Sequence, residues 1–165
     1  MVLRQRTRLG SIAGVFTGLL AILAVSGCAQ ETSDKDIKYI SGAELQGIVA
    51  KIQSTGKTET LLLIDPRPAS EYEAAHLPRA WNKALSTIPS GQKPDPRLEG
   101  FDRIVVYGNH PGTPSAIGMT KRLLQNGYSD VFFYAEGLEG WLAQGGETET
   151  GKSPIWPTEK VTVIE

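Results

Sequence analysis

The sequence predicts an α/β domain in which a mostly parallel central sheet carries helices on both faces. Short runs rich in apolar residues at 60–64, 103–107 and 131–134 are typical of strands that are buried on both sides. These runs alternate with segments of helical character, which is the pattern of strand–helix–strand units. The length of 165 residues corresponds to about one such domain.

The first helix is predicted to begin near residue 41. Ser41 and Glu44 have the spacing of a capping box, in which two side chains satisfy free backbone N–H groups of the first turn. The apolar residues that follow are spaced by three and four, which places them on one helix face. They are Leu45, Ile48, Val49 and Ile52.

Three further helices and one long loop complete the expected order. A short helix is expected at 68–75, a longer one at 114–126 between a proline and a glycine, and a last turn or two at 138–143. The proline- and glycine-containing stretch 86–100 is predicted to be a surface loop. Ligands of such sheets bind where the strands end, which here means Asp65 and the loop after Tyr107.

The first 27 residues have the layout of an export signal. Arg4, Arg6 and Arg8 precede a stretch without charges, and small residues follow it. The ending Val25-Ser26-Gly27-Cys28 resembles a bacterial lipobox, which implies cleavage before Cys28 and lipidation of that cysteine. An uncleaved membrane anchor and ordinary secretion are the alternatives.

A lipidated Cys28 would make a bilayer the first partner of this protein. Residues 28–36 would form a short linker, and the domain would lie on the exported, periplasmic side of a bacterial membrane. Ala29 follows the cysteine, which by resemblance to Gram-negative lipoproteins favours the outer membrane. More than one acyl chain is needed for stable anchoring.

Charge and cysteine content exclude several function classes. The formal charge is −1, and without residues 1–27 it becomes −4 because three arginines are lost, so no basic surface points to nucleic acid. The single cysteine excludes an internal disulfide and a cysteine-based zinc cluster. We expect no metal and no cofactor, since His76 and His110 alone fall short of a zinc site.

Two groups of motifs follow the predicted strands. The first group is Asp65-Pro66-Arg67 followed by 71–72 and 76–82, and the second is the strand 104–107 and its loop with Leu123, 127–128, Val131 and 137–141. Together they resemble the rhodanese-like domain family, whose active members are sulfurtransferases. The resemblance covers 37–147, so we predict a single rhodanese-like domain there and a C-terminal tail over 148–165.

The resemblance implies an active-site loop that begins with a cysteine and closes with an arginine. The thiolate takes up sulfur, while backbone N–H groups and the arginine hold the charge. Here the first position is Gly108, and the arginine position is Thr113 or, in a longer loop frame, Pro114. Cys28 is the only thiol, and its acylated sulfur would be a thioether. The family's cysteine chemistry, including the related phosphatase and arsenate-reductase reactions, is therefore excluded.

The remaining candidates are weighed as binding or supporting residues. The loop could bind a small anion, although its two prolines lack backbone donors; its residues are Gly108, Asn109, His110, Pro111, Gly112, Thr113, Pro114 and Ser115. By the resemblance, Asp65 and Arg67 support the loop, and Trp141 could form a pocket wall.

Two functions remain open from the sequence. The first is a non-catalytic module that is tethered to the membrane and binds an envelope protein or a small anion. The second is an enzyme that uses the same pocket without a thiol, through His110 and Asp65. The apolar part of the tail could dock on the domain, add an edge strand or serve as a handle for a partner.

Overall fold

A computed structural model describes residues 32–56 and 61–155. Within these residues the strands are β1 (Lys38–Tyr39), β2 (Leu61–Asp65), β3 (Trp81–Asn82), β4 (Arg103–Tyr107) and β5 (Val131–Tyr134). These five described strands form one sheet in the order β1-β5-β4-β2-β3, and every neighbouring pair is parallel. The predicted α/β fold is confirmed.

The central strands are buried because they carry apolar side chains toward both faces. In β2, Leu61 and Leu63 belong to one core cluster, while Leu62 and Ile64 belong to the other. Alternation with period two sends successive side chains to opposite sides of a sheet. A continuous apolar run is therefore what a two-sided sheet requires, and this is why the strand could be identified from sequence.

Helices cover both faces, as predicted. The first core cluster contains side chains of α1, α2 and α5, and the second contains side chains of α3 and α4. The helices are α1 (Gly42–Thr55), α2 (Ala69–Ala74), α3 (Pro96–Glu99), α4 (Pro114–Gln125) and α5 (Gly137–Ala143).

Helix α1 is capped at both ends, but only half of the expected capping box forms. The Ser41 hydroxyl accepts a hydrogen bond from the Glu44 backbone N–H at 3.3 Å. Glu44 does not return the bond; its carboxylate pairs with Arg103 of β4 instead. At the other end, Gly56 adopts a φ of 69°, the left-handed conformation that glycine tolerates best.

The predicted surface loop at 86–100 contains more regular structure than expected. A 3-10 turn covers Leu85–Thr87, and α3 lies inside the stretch. Asp95 caps α3 by accepting the Arg97 backbone N–H at 2.9 Å. Proline at the first helical position is compatible with this short helix, because that position needs no N–H donor.

The beginning of the C-terminal tail docks on the domain. His76 and Glu149 exchange two backbone hydrogen bonds of 3.0 and 2.9 Å. The Asn82 backbone N–H donates to the Ser153 hydroxyl at 2.9 Å. Residues 156–165 lie outside the described residues, as do Cys28 and the whole predicted signal. Within 32–56 and 61–155, no helix has both the length and the apolar character that crossing a membrane requires.

Candidate functional site

The candidate site lies at the carboxyl ends of β2 and β4, where the loops that follow these two strands begin. β2 ends at Asp65, and β4 ends at Tyr107. Residues 108–113 connect β4 to the start of α4 at Pro114. We refer to 108–115 as the site loop. The site is thus where open parallel sheets usually bind their ligands.

The Thr113 hydroxyl fills the centre of the site loop. It accepts hydrogen bonds from the backbone N–H groups of Asn109 at 3.0 Å and His110 at 3.1 Å. It donates its own hydrogen to the His110 carbonyl oxygen at 2.9 Å. One donor and two acceptor positions are all that a hydroxyl offers. Two backbone donors that could face a ligand are therefore used within the loop.

Thr113 also occupies the space beside Gly108. A Cβ atom built on Gly108 would lie 2.4 Å from the Thr113 Cβ and 2.6 Å from its Oγ1. Gly108 is itself buried. A side chain at 108 therefore requires Thr113 to move, and glycine is the residue that fits this position as the loop stands.

His110 contributes its ring to the loop's own structure. The Gly112 backbone N–H donates to His110 Nδ1 at 3.2 Å, so Nδ1 is the acceptor and the neutral ring carries its hydrogen on Nε2. The Thr113 backbone N–H donates to the His110 carbonyl at 3.1 Å. The His110 side chain is exposed, and no contact in the structure joins it to Asp65.

The N-terminus of α5 holds the other side of the site loop. The backbone N–H groups of Leu138 and Glu139 donate to the carbonyls of Gly108 and Asn109 at 2.9 and 3.0 Å. The Asn109 side chain also donates to the Glu139 carboxylate at 2.6 Å. Gly137 makes this approach possible, because a Cβ there would lie 2.6 Å from the Asn109 carbonyl oxygen.

Asp65 and Arg67 form a buried ion pair at the carboxyl end of β2. Arg67 Nη2 donates to Asp65 Oδ2 at 2.6 Å, and Arg67 Nε donates to Asp65 Oδ1 at 3.0 Å. Asp65 is 0% exposed and Arg67 is 5% exposed. Arg67 Nη2 also donates to the Ala75 carbonyl at 2.7 Å, so the pair ties the end of β2 to the end of α2.

Burial and the Asp65 charge control ionisation in this region. Burial alone would lower the pKa of Arg67, but the hydrogen bond and charge of Asp65 outweigh it and raise that pKa. Burial, with the negative charge of Asp65, raises the pKa of the Tyr107 hydroxyl well above its usual value. Tyr107 therefore stays neutral and accepts the Leu77 backbone N–H at 3.1 Å.

Trp141 and His76 lie in the core and support the tail. Trp141 is 3% exposed, and its indole N–H donates to the Glu147 carbonyl at 2.7 Å. His76 stacks on Tyr72 with ring centroids 3.7 Å apart and bonds the Tyr72 carbonyl at 2.7 Å. The polar atom of Trp141 is thus used by the tail, and its role as a pocket wall stays a prediction.

A family comparison agrees with this architecture. The model of the family described as "Rhodanese-like domain" matches residues 46–144, which is more than half of the chain. The chain belongs to the rhodanese-like domain family. The match begins inside α1 and ends just after α5, so this rhodanese-like domain includes the whole site loop and the elements that hold it.

Solved structures share the fold. A Bacillus halodurans protein matches with a TM-score of 0.54 at 23% identity, over 70% of this chain and 79% of that one. A thiosulfate sulfurtransferase from Pseudomonas aeruginosa matches with a TM-score of 0.55 at 22% identity, over 76% of this chain but only 22% of that longer one. A Rhodopseudomonas palustris protein of unknown function, described as a "possible tyrosine phosphatase", matches with a TM-score of 0.56 at 16% identity, over 85% of this chain and 100% of that one.

Sequence reasoning missed the roles of Thr113 and Gly137 in this rhodanese-like domain. The sequence placed Thr113 in the loop, directly before the proline that begins α4, but it gave no sign of where its hydroxyl would bond. Its side chain turns back into the loop instead of capping α4. Among the described residues, no group of three or more His, Cys, Asp or Glu side chains is placed to hold a metal ion.

Proposed function

We propose that this chain is a non-catalytic rhodanese-like module that is held at a membrane of the cell envelope by lipid on Cys28 and binds a partner protein. The observation that supports it most is the position of Thr113, whose side chain fills the space beside Gly108 and takes up two loop N–H donors. A covalent intermediate needs a nucleophile and a charge-holding cradle. Gly108 has no side chain that could act as a nucleophile, and the Thr113 side chain already occupies the cradle.

The exposed rim of the site loop suits a protein partner better than a small anion. His110, Pro111, Gly112 and Pro114 are exposed. Two prolines restrict the loop backbone, so the rim itself loses little conformational entropy when a partner binds to it. An anion would need backbone donors, and those of 109, 110 and 112 bond to Thr113 and His110.

A turnover assay tests the non-catalytic part of the proposal. We expect the protein to form no thiocyanate from thiosulfate and cyanide above the uncatalysed background, while a cysteine-containing rhodanese assayed alongside turns over. A phosphate or thiosulfate titration followed by NMR should leave the amide signals of Asn109, His110 and Gly112 unshifted. Turnover, or saturable shifts at those amides, would instead favour an enzyme or an anion-binding protein that uses the pocket without a thiol.

Substitution of Cys28 tests the anchor. Cys28→Ser should abolish lipid labelling and release the protein from the membrane fraction, because the acyl chains provide the anchoring energy. Ala29→Ser is the matched control, since it introduces the same side chain one residue later and leaves the thiol in place. Parent protein that stays in the membrane without any lipid label would contradict the anchor.

Crosslinking in intact envelopes tests the partner. A photoreactive residue at Pro111, on the exposed rim, should give a discrete crosslinked product, whereas the same residue at the exposed Gln125, at the far end of α4, should not. His110→Ala should weaken the product, because it removes a rim side chain. Identical products from positions 111 and 125 would show that the rim is not the contact surface.

A further inference from the structure

A groove of about 420 Å³ lies beside β2, and its lining does not include the site loop. Its floor is apolar: Val49 and Ile52 come from α1, and Leu61 and Leu63 come from β2. The aromatic ring of Trp81 also lines the groove. Arg79 and Glu149 also line the groove, so its apolar floor suits an occupant with apolar side chains on the side that faces β2.

The edge of β2 that borders this groove is only partly covered by β3. Among the described residues, β3 pairs with Ile64 and Asp65, whereas β4 pairs with β2 along Leu61–Ile64 on the other side. No strand among the described residues therefore pairs with 61–63 on the side that faces the groove. Proteins usually cover such edges, because unpaired backbone groups attract another strand.

The C-terminal tail reaches the groove where its described part ends. Ser153 is tied to Asn82 of β3, and Pro154 lines the groove. Ile155 follows with 57% of its surface exposed. The sequence then continues with Trp156-Pro157 and, after a short polar stretch, the β-branched run Val161-Thr162-Val163-Ile164.

We propose that residues 161–164 of this chain occupy the groove as an additional strand beside residues 61–63 of β2. Val, Thr and Ile are residues favoured in strands, and alternate side chains would reach the apolar floor. From Pro154 to Val161 the chain can span up to about 23 Å, so the run can reach an edge that Pro154 already borders. The tail would then cover the free edge and extend the sheet by one strand.

Hydrogen exchange of the protein as purified from cells tests this assignment. Amides of 161–164 should exchange at least about tenfold more slowly than in the same peptide free in solution, because they bond to β2. Val163→Asp should remove that protection and also speed exchange in the peptide covering 61–64. Thr158→Asp is the matched control: it adds the same charge to the same segment outside the run and should leave both regions protected.

A chain that ends after Ile155 provides a second variant. It should show the same faster exchange at 61–64 while the peptides of β4 and α4 keep the parent rates. Free-peptide exchange of 161–164 in the parent, or unchanged exchange at 61–64 in both variants, would overturn the proposal. Protection that grows with protein concentration would assign the groove to a second copy of the chain and would also overturn it.

Discussion

The site loop has room for a side chain at position 113 or at position 108, but not at both. Because a Cβ on Gly108 would come within 2.6 Å of three Thr113 atoms, Gly108→Ala should destabilise the protein by about 1–3 kcal/mol. Thr113→Gly should also destabilise it, since the loop loses its central hydroxyl. The double variant should be more stable than the two single effects added together predict, because the second change removes the clash.

Urea unfolding of the four proteins measures this coupling. Gly47→Ala is the control, because no atom lies within 4 Å of a Cβ at that position of α1, and alanine favours a helix. Gly47→Ala should leave the unfolding free energy unchanged or raise it by about 0.5–1 kcal/mol. Strictly additive effects of Gly108→Ala and Thr113→Gly would show that the two residues do not compete.

The motif Asp-Pro-Arg occurs twice and offers a comparison of buried and exposed ion pairs. Asp65 and Arg67 are buried at 0% and 5% exposure, whereas the side chains of Asp95 and Arg97 are 29% and 53% exposed. In both copies the aspartate accepts the backbone N–H and the guanidinium of the arginine two residues later. The local geometry is therefore matched, and only the surroundings differ.

Arg67→Gln should cost about 3–5 kcal/mol of unfolding free energy, because it leaves the Asp65 charge buried without its partner. Arg97→Gln should cost far less unfolding free energy than Arg67→Gln, since water replaces the lost contact. Denaturant unfolding of the two variants measures the difference. Equal losses of unfolding free energy would mean that burial does not determine how much this ion pair stabilises the protein.

At the residue level, the sequence located the site loop but not its internal bonding. Gly108 could be placed directly after β4, because the run of apolar residues that identifies this strand stops at Tyr107. The Thr113 hydroxyl bonds to groups three and four residues earlier, and this depends on how the loop closes. Loop closure is decided by α5, which lies more than twenty residues further along the chain.

At the level of secondary structure elements, α5 fixes the loop through one glycine. Gly137→Ala should destabilise the protein by more than 1 kcal/mol, because it combines a φ of 65° with a Cβ 2.6 Å from a backbone carbonyl. Gly145 is the matched control: its φ is 76°, but no atom lies within 4 Å of its Cβ. Gly145→Ala should cost only the backbone strain, about 1 kcal/mol.

Thermal or denaturant unfolding separates the two glycine variants. NMR should additionally show shifted amide signals at Gly108 and Asn109 in Gly137→Ala and unchanged ones in Gly145→Ala, because only the first residue contacts the loop. Equal stability of the two variants would mean that α5 does not constrain the site loop.

Strands with a run of apolar residues of their own were predictable from the sequence. Strands that exist only through pairing with a neighbouring strand were not. The strands β2, β4 and β5 are long enough for their apolar runs to identify them. β1 and β3 have two residues each, and their existence depends on pairing with β5 and β2. Two residues carry no periodicity, so no sequence pattern could reveal these strands.

For the whole molecule, buried tyrosines link stability to alkaline pH. Burial raises the pKa of Tyr72 and of Tyr134 to about 12, and it also raises the pKa of Tyr107 and Tyr128. In the unfolded chain these hydroxyls ionise near pH 10. The folded state holds the protons more tightly, so this stabilisation is complete below about pH 10 and is lost as the pH rises toward 12 and beyond.

The unfolding free energy should therefore fall between about pH 10 and pH 12, as measured by urea unfolding at fixed salt. Tyr134→Phe should make the decline shallower, because it removes one hydroxyl whose pKa is raised to about 12. A flat profile across this interval would contradict the buried state of the hydroxyls.

The proposed lipid anchor would hold the domain at a short distance from the membrane. Ser33 and Asp36 cap each other around the 3-10 turn at Asp34–Asp36, and Asp34 pairs with Lys121 of α4 at 2.6 Å. Only residues 28–32 would then separate the lipid from this turn, a span of at most roughly 17 Å. A partner that contacts the site loop would have to lie close to the same bilayer.

The close fit between Thr113 and Gly108 also bears on how such a protein can change over generations. A mutation that put a thiol at 108 would meet a side chain already in its place, and a mutation that cleared position 113 would disturb the loop while offering no reactive group. Each single change therefore carries a stability penalty, and only the two changes together remove the clash. At least two substitutions are needed before any side chain, a thiol included, can occupy position 108 without displacing another one.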